Sequence, residues 1–140
     1  QREFTDMFNL PYHSVCTTST HDMTPLRNWW KEDREKIQRY YNNVLLREGQ
    51  APEECTEDIA TQIVTNHLAT NSMLTIIPIQ DWFAIDDAVK RKDIESERIN
   101  IPAIPNHYWR YRMHIPLERL IEADSLNNKI AELIRKSGRR

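Results

Sequence analysis

Two short stretches rich in β-forming residues, "HSVCTT" (His13 to Thr18) and "MLTIIPIQD" (Met73 to Asp81), are separated by a long run of helix-patterned sequence. The first mixes Ser, Val, Cys and Thr and reads as a strand. The second is a compact apolar run bounded by polar residues, the pattern of a strand buried on both faces, with Pro78 limiting how far its ladder can extend. Two strands joined by a long helical crossover pair in parallel. A parallel sheet needs cover on both faces, and two strands are too few to be stable alone. The chain therefore reads as α/β, mostly helical, and as a section of a larger barrel or sheet. Residues 1–140 are expected to form a single partial domain.

The helices are patterned as follows. After a loop from Ser19 to Met23, Thr24-Pro25 is a helix start, with a hydroxyl at the N-cap and Pro at the first helical position. Leu26, Trp30, Ile37, Tyr41, Val44 and Leu45 form its apolar stripe, and Gly49 is the expected stop. A second helix is expected from Thr56, with Glu57 and Asp58 in its first turn and a stripe of Ile59, Ile63, Val64, His67 and Leu68. Residues 1–12 and 86–107 read as irregular. Helices are expected over Ile115 to Ala123 and Asp124 to Gly138, the latter capped by Asp124, with Leu126, Ile130, Leu133 and Ile134 inward.

Composition narrows the function classes. The formal charge of −2 gives no basic excess for nucleic acid. The apolar run near Leu74 to Ile79 is far short of the ~20 residues that span a bilayer. The opening "QREFTDMFNL" lacks the pattern of a signal peptide. Cys16 and Cys55 make no disulfide framework and read as free thiols, pointing to a reducing, cytoplasmic compartment. With only Gly49 and Gly138, no Gly-rich phosphate loop exists, and the histidines show no metal-ligand spacing. No metal and no cofactor is expected.

Three constellations can carry chemistry. His21-Asp22 follows the first strand and precedes a helix, the place where β/α barrels keep their active groups. A carboxylate there suits electrostatic stabilisation or binding of sugar hydroxyls; the plainer reading is a helix cap. Gln80-Asp81 ends the second strand and by the same topology faces the same mouth, or again caps a turn. The segment "ERINIPAIPNHYWRYRMHIP" (Glu97 to Pro116) brings Arg98, Asn100, Asn106 and several aromatics onto an irregular, Pro-stiffened stretch. Amide, guanidinium and aromatic groups together suit sugars, whose hydroxyls pair with the former and whose ring faces stack on the latter. A loop pinned to its own domain is the alternative, favoured for Trp109 and Tyr111. Trp29, Trp30 and His67 read as packing residues.

"SVCTTSTHDMTPLRNWW", "LTIIPIQDWFAI" and "ERINIPAIPNHYWRYRMH" together, in this order, resemble the C-terminal part of the 4-α-glucanotransferases, the amylomaltase or disproportionating-enzyme family. The likeness extends over roughly residues 10 to 138 and is nearest to the longer bacterial and plant cytosolic type. It implies the last strands and helices of a (β/α)8 barrel whose parent transfers α-1,4-glucan segments from donor to acceptor by a retaining double displacement. It implies Asp22 as the carboxylate stabilising the distorted, oxocarbenium-like state. It implies that His21 hydrogen-bonds the same sugar and that Arg98, Asn100 and Asn106 correspond to the family's segment near the acceptor side; Gln80 and Asp81, which topology places at the same mouth, are expected as further sugar contacts, with an α-glucan or maltooligosaccharide as the partner. The "NIPAIPNHYW" stretch departs from the Gly-containing version of the shorter amylomaltases. The family's nucleophile and acid/base lie upstream of the His-Asp motif. The chain is therefore expected to be inactive alone and to self-associate through uncovered barrel surfaces. A small carbohydrate- or protein-binding helical module is the competing reading.

Overall fold

The computed structural model describes residues 4 and 6–139. Residues 1–3 and 5, within the stretch expected to be irregular, lie outside it. The elements run β1 (Val15–Thr17), α1 (Leu26–Glu32), α2 (Arg34–Asn43), α3 (Glu57–Leu68), β2 (Leu74–Ile76), α4 (Ile79–Phe83), α5 (Leu117–Ile121) and α6 (Asp124–Ser137), with short 3-10 turns at Met7–Asn9 and Glu95–Glu97. β1 and β2 pair in parallel, Val15 opposite Leu74, Cys16 opposite Thr75 and Thr17 opposite Ile76. Both expected strands are thus present and joined as expected, by a helical crossover.

The core is built by the apolar stripes of the crossover. Ile59, Ile63, Val64, His67 and Leu68 of α3 are all buried, and they meet Leu26, Trp30, Ile37, Tyr40 and Leu45. His67 is a satisfied core histidine: its Nδ1 lies 2.7 Å from the Ile63 carbonyl, and burial holds its pKa below the ordinary value. Trp30 is wholly buried and donates its indole N–H to the Pro52 carbonyl at 3.0 Å, while Trp29 packs edge-on to Tyr40. Leu126 carries α6 into the core, and Lys129 ties α6 to Glu57 of α3 at 2.6 Å and to the Ile85 carbonyl at 3.3 Å.

Several expectations are corrected. The first helix does not run on to Gly49. It breaks at Asp33, whose extended backbone (φ −142°) lets its carboxylate accept from Lys36 N–H at 3.0 Å and so cap a new helix, α2. α2 then stops at Asn43; Leu46 and Gly49 take positive φ (54° and 83°) in the turn that follows, where glycine carries no Cβ penalty. Thr24 does not cap α1. Pro25 holds that position, and the Thr24 hydroxyl pairs with Glu32 instead. The second strand ends at Ile76, because Pro78 begins α4 and places Gln80 and Asp81 on a helix rather than a strand end. Asp124 is the first residue of α6, not its cap; Ala123 occupies the cap position.

β2 was expected to be buried on both faces. Cys16 of β1 is buried on the crossover side, but on the other face Val15, Leu74 and Ile76 are 57%, 48% and 57% exposed. No described element covers that face.

One carboxylate organises this arrangement. Asp81, 1% exposed, accepts from the Thr18 hydroxyl at 2.5 Å, the Ser19 hydroxyl at 2.7 Å and the Leu26 N–H at 2.8 Å. It satisfies an orphan donor at the N-terminus of α1, a cap supplied from another helix. Replacing it strands three donors, two of them in largely dry surroundings, so Asp81→Ala should lower unfolding free energy by about 3 kcal/mol. Urea denaturation measures this directly; an unchanged midpoint would rule out the clamp.

Candidate functional site

β1 delivers the chain to Thr18 and Ser19, where Asp81 anchors both side chains and also the start of α1. The loop between these anchors carries His21 and Asp22 outward, with side chains 52% and 57% exposed. The ring of His21 places Nε2 3.1 Å from one Asp22 carboxylate oxygen, Oδ2. Asn100, distant in sequence, donates its amide to the other oxygen, Oδ1, at 2.7 Å. Trp109 lies against His21, ring centroids 4.9 Å apart. An exposed, oriented carboxylate, an imidazole, an amide and an indole face thus converge from two chain segments. Asp22 also borders a cavity of about 480 Å³ that reaches Thr24, Trp29 and Lys36.

The other expected contacts are placed differently. Gln80 is 3% exposed and donates to the Glu97 carbonyl at 3.2 Å. Asp81 is consumed by its three donors. Both side chains act on the elements that carry His21, Asp22 and Asn100. Arg98 borders a separate cavity, and its Nε is buried without a hydrogen-bond partner. Asn106 sits in an exposed turn at φ 61°, a conformation that Asn tolerates. No hydrogen bond joins it to Asp22, His21 or Asn100.

A buried ion pair fixes the segment that holds Asn100. Arg27 of α1, 6% exposed, contacts Glu97, 2% exposed, at 2.6 Å, and the same nitrogen reaches the Arg91 carbonyl at 2.7 Å. Gln80 takes the Glu97 carbonyl, so α1 and α4 both grip the chain three residues before Asn100. Arg27 is next to the conspicuous tryptophans and Glu97 opens the loop motif, but nothing local signals that they meet. Trp109, expected to pin the loop by packing, is 58% exposed, and its ring lies tilted against that of His21.

Residues 1–118 match the glycoside hydrolase 77 family model, described as 4-alpha-glucanotransferase. The chain belongs to the 4-alpha-glucanotransferase family. It is 38% identical over 128 residues to the rice (Oryza sativa subsp. japonica) 4-alpha-glucanotransferase DPE2, a match covering 91% of this chain and 14% of that protein. It is 28% identical over 131 residues to the 4-alpha-glucanotransferase of Chlamydia caviae, covering 88% and 23% respectively. The fold is similar to that of an amylomaltase from Streptococcus agalactiae solved with acarbose: TM-score 0.69, 20% identity, over 96% of this chain and 23% of that one. The chain thus spans 14% to 23% of the length of these relatives. Among the described residues of this glucanotransferase-family chain, no cluster of His, Cys, Asp and Glu has the makings of a metal site, and no helix is long and apolar enough to cross a membrane.

Burial outweighs the pull of Arg27 and pushes the Glu97 carboxyl from 4.5 up to about 7. A carboxyl raised in the folded state binds its proton more tightly there than in the unfolded chain. Its contribution to stability is therefore full below about pH 4.5 and is lost as pH rises through about 7. Glu97→Gln should flatten that part of the stability curve. Urea midpoints of parent and variant at about pH 5 and about pH 7.5 test it; equal pH slopes in the two proteins would refute the assignment.

Proposed function

We propose that this chain is the C-terminal segment of the catalytic (β/α)8 barrel of a 4-α-glucanotransferase, a single partial domain over residues 1–140. It supplies its last strands and helices and one of its acidic groups. In this reading Asp22 holds hydroxyls of the sugar in the reactive subsite. There it stabilises the oxocarbenium-like state during transfer of an α-1,4-glucan segment from donor to acceptor sugar by a retaining double displacement. His21 and Asn100 hold the carboxylate and can hydrogen-bond the same sugar, and the exposed Trp109 ring offers a stacking face. Gln80, Asp81 and the Arg27–Glu97 pair are positioning residues that act through the loops they anchor.

The observation that carries the reading is the convergence of Asn100 and His21 on the two oxygens of an exposed Asp22 at the end of a parallel strand. In a β/α barrel that end is where substrate is met. The uncovered face of β1 and β2 supports the barrel part: Val15, Leu74 and Ile76 form the kind of surface a neighbouring strand layer covers. The same face makes self-association of the isolated chain the expected behaviour. The partner in this reading is an α-glucan or maltooligosaccharide, drawn from starch, maltose or glycogen metabolism. Two free, buried thiols, Cys16 and Cys55, support a cytoplasmic setting.

The test is Asp22→Asn in the protein at its full native length, with maltotriose as both donor and acceptor. Loss of a group that acts mainly in the transition state should reduce kcat by about 10³-fold or more with KM little changed. Circular dichroism checks folding, which an exposed substitution should not disturb. Retention of more than about a tenth of the parent kcat would sink the role given to Asp22.

A further inference from the structure

A second cavity, about 440 Å³, is lined by residues 91–112, the part of the chain that also carries Asn100 and Trp109. Arg91, Arg98, Arg110 and Arg112 line it, with Glu95 as the facing carboxylate. The chain as a whole carries a formal charge of −2, so this cavity concentrates the opposite sign. Among the described residues, none of the four guanidinium groups has a carboxylate at ion-pair distance, while Glu95 receives a hydrogen bond from Asn28 at 3.3 Å. Unpaired arginines on an open surface are ordinary. Arg91 spends its guanidinium on two backbone carbonyls and Arg110 and Arg112 are exposed, but the Nε of Arg98 at the same cavity is buried and meets no hydrogen-bond partner among the described residues.

The cluster is also held in shape. Arg91 donates to the Arg112 carbonyl at 2.9 Å and to the Ser96 carbonyl at 3.2 Å, with its guanidinium 6.0 Å from the Tyr111 ring centroid. Arg110 stacks over Tyr108 at 4.9 Å. Stacking and backbone contacts cut the freedom these long side chains would otherwise lose on binding. Planar guanidinium forks match the paired oxygens of a phosphate better than a single cation does.

We propose that this cavity is an oxyanion site that takes a phosphate group. Its source is either free inorganic phosphate or a phosphate monoester carried on a sugar, the tyrosine rings offering an apolar face to the latter. The site does not depend on the role of Asp22, although both are served by the 97–112 segment.

The test is calorimetric titration of the protein at its full native length with inorganic phosphate, glucose 6-phosphate and glucose, at constant ionic strength. We expect saturable binding of a phosphate-bearing ligand and none of glucose. Tighter binding of glucose 6-phosphate than of inorganic phosphate assigns the sugar ester as ligand; equal binding assigns free phosphate. Either supports the site. The double variant Arg110→Ser/Arg112→Ser should weaken binding by about tenfold or more, and Arg110→Lys, which keeps charge but not the fork, by less. Asp22→Asn should leave it unchanged, which separates failure of this site from failure of the glucanotransferase reading. Absence of binding by both phosphate probes, or affinity unaltered in the double variant, would overturn the proposal.

Discussion

The carboxylate of Asp81 is the point on which the remainder of the architecture turns. It lies in the first turn of α4, yet its donors come from the end of β1 and the beginning of α1. Buried charge is costly unless every lone pair is used, and here backbone and hydroxyl donors use it well. The geometric result is that the chain leaving β1 has both ends of its loop pinned, at Ser19 and at Leu26. His21 and Asp22 are therefore exposed without being loose. The same helix sends Gln80 to the backbone of Glu97, so one short element steers both halves of the candidate site.

How much of this was legible in sequence depended on whether the information was local. The α3 stripe was readable because its apolar residues repeat at helical spacing, and all five are buried. The parallel pairing of β1 and β2 followed from the length of the crossover. His21-Asp22 stood out by its place between a strand and a helix, where a helix cap was the plainer reading on pattern alone, and the three motifs together turned it toward a site. The break at Asp33 was hidden: an aspartate within "KEDREK" looks like one more solvated charge, and only its extended backbone makes it a cap. Gln80 and Asp81 were misplaced because Pro78 was read as the fraying of a strand when it is the start of a helix.

The long-range polar contacts were not legible. Arg27 meets Glu97 and Asn100 meets Asp22 over separations of 70 and 78 residues, and no periodicity reports a partner that distant. The three quoted motifs nevertheless contain all of these residues. Each motif supplies one side of a contact whose other side lies in another: Asp81 with Leu26, Gln80 with Glu97, Asn100 with Asp22. The motifs are thus long because they carry both the outward groups and the inward groups that aim them.

The two protein contacts to Asp22 have a stereochemical consequence. A carboxylate offers about four acceptor positions, two on each oxygen. Asn100 takes one on Oδ1, and His21 faces Oδ2. One position per oxygen is left, the two separated by the fixed width of the carboxylate group. A ligand with two adjacent hydroxyls can fill both positions at once, while a lone hydroxyl can fill only one. Two acceptor positions held at a fixed separation distinguish paired donors from single ones, which a freely rotating surface aspartate does not do.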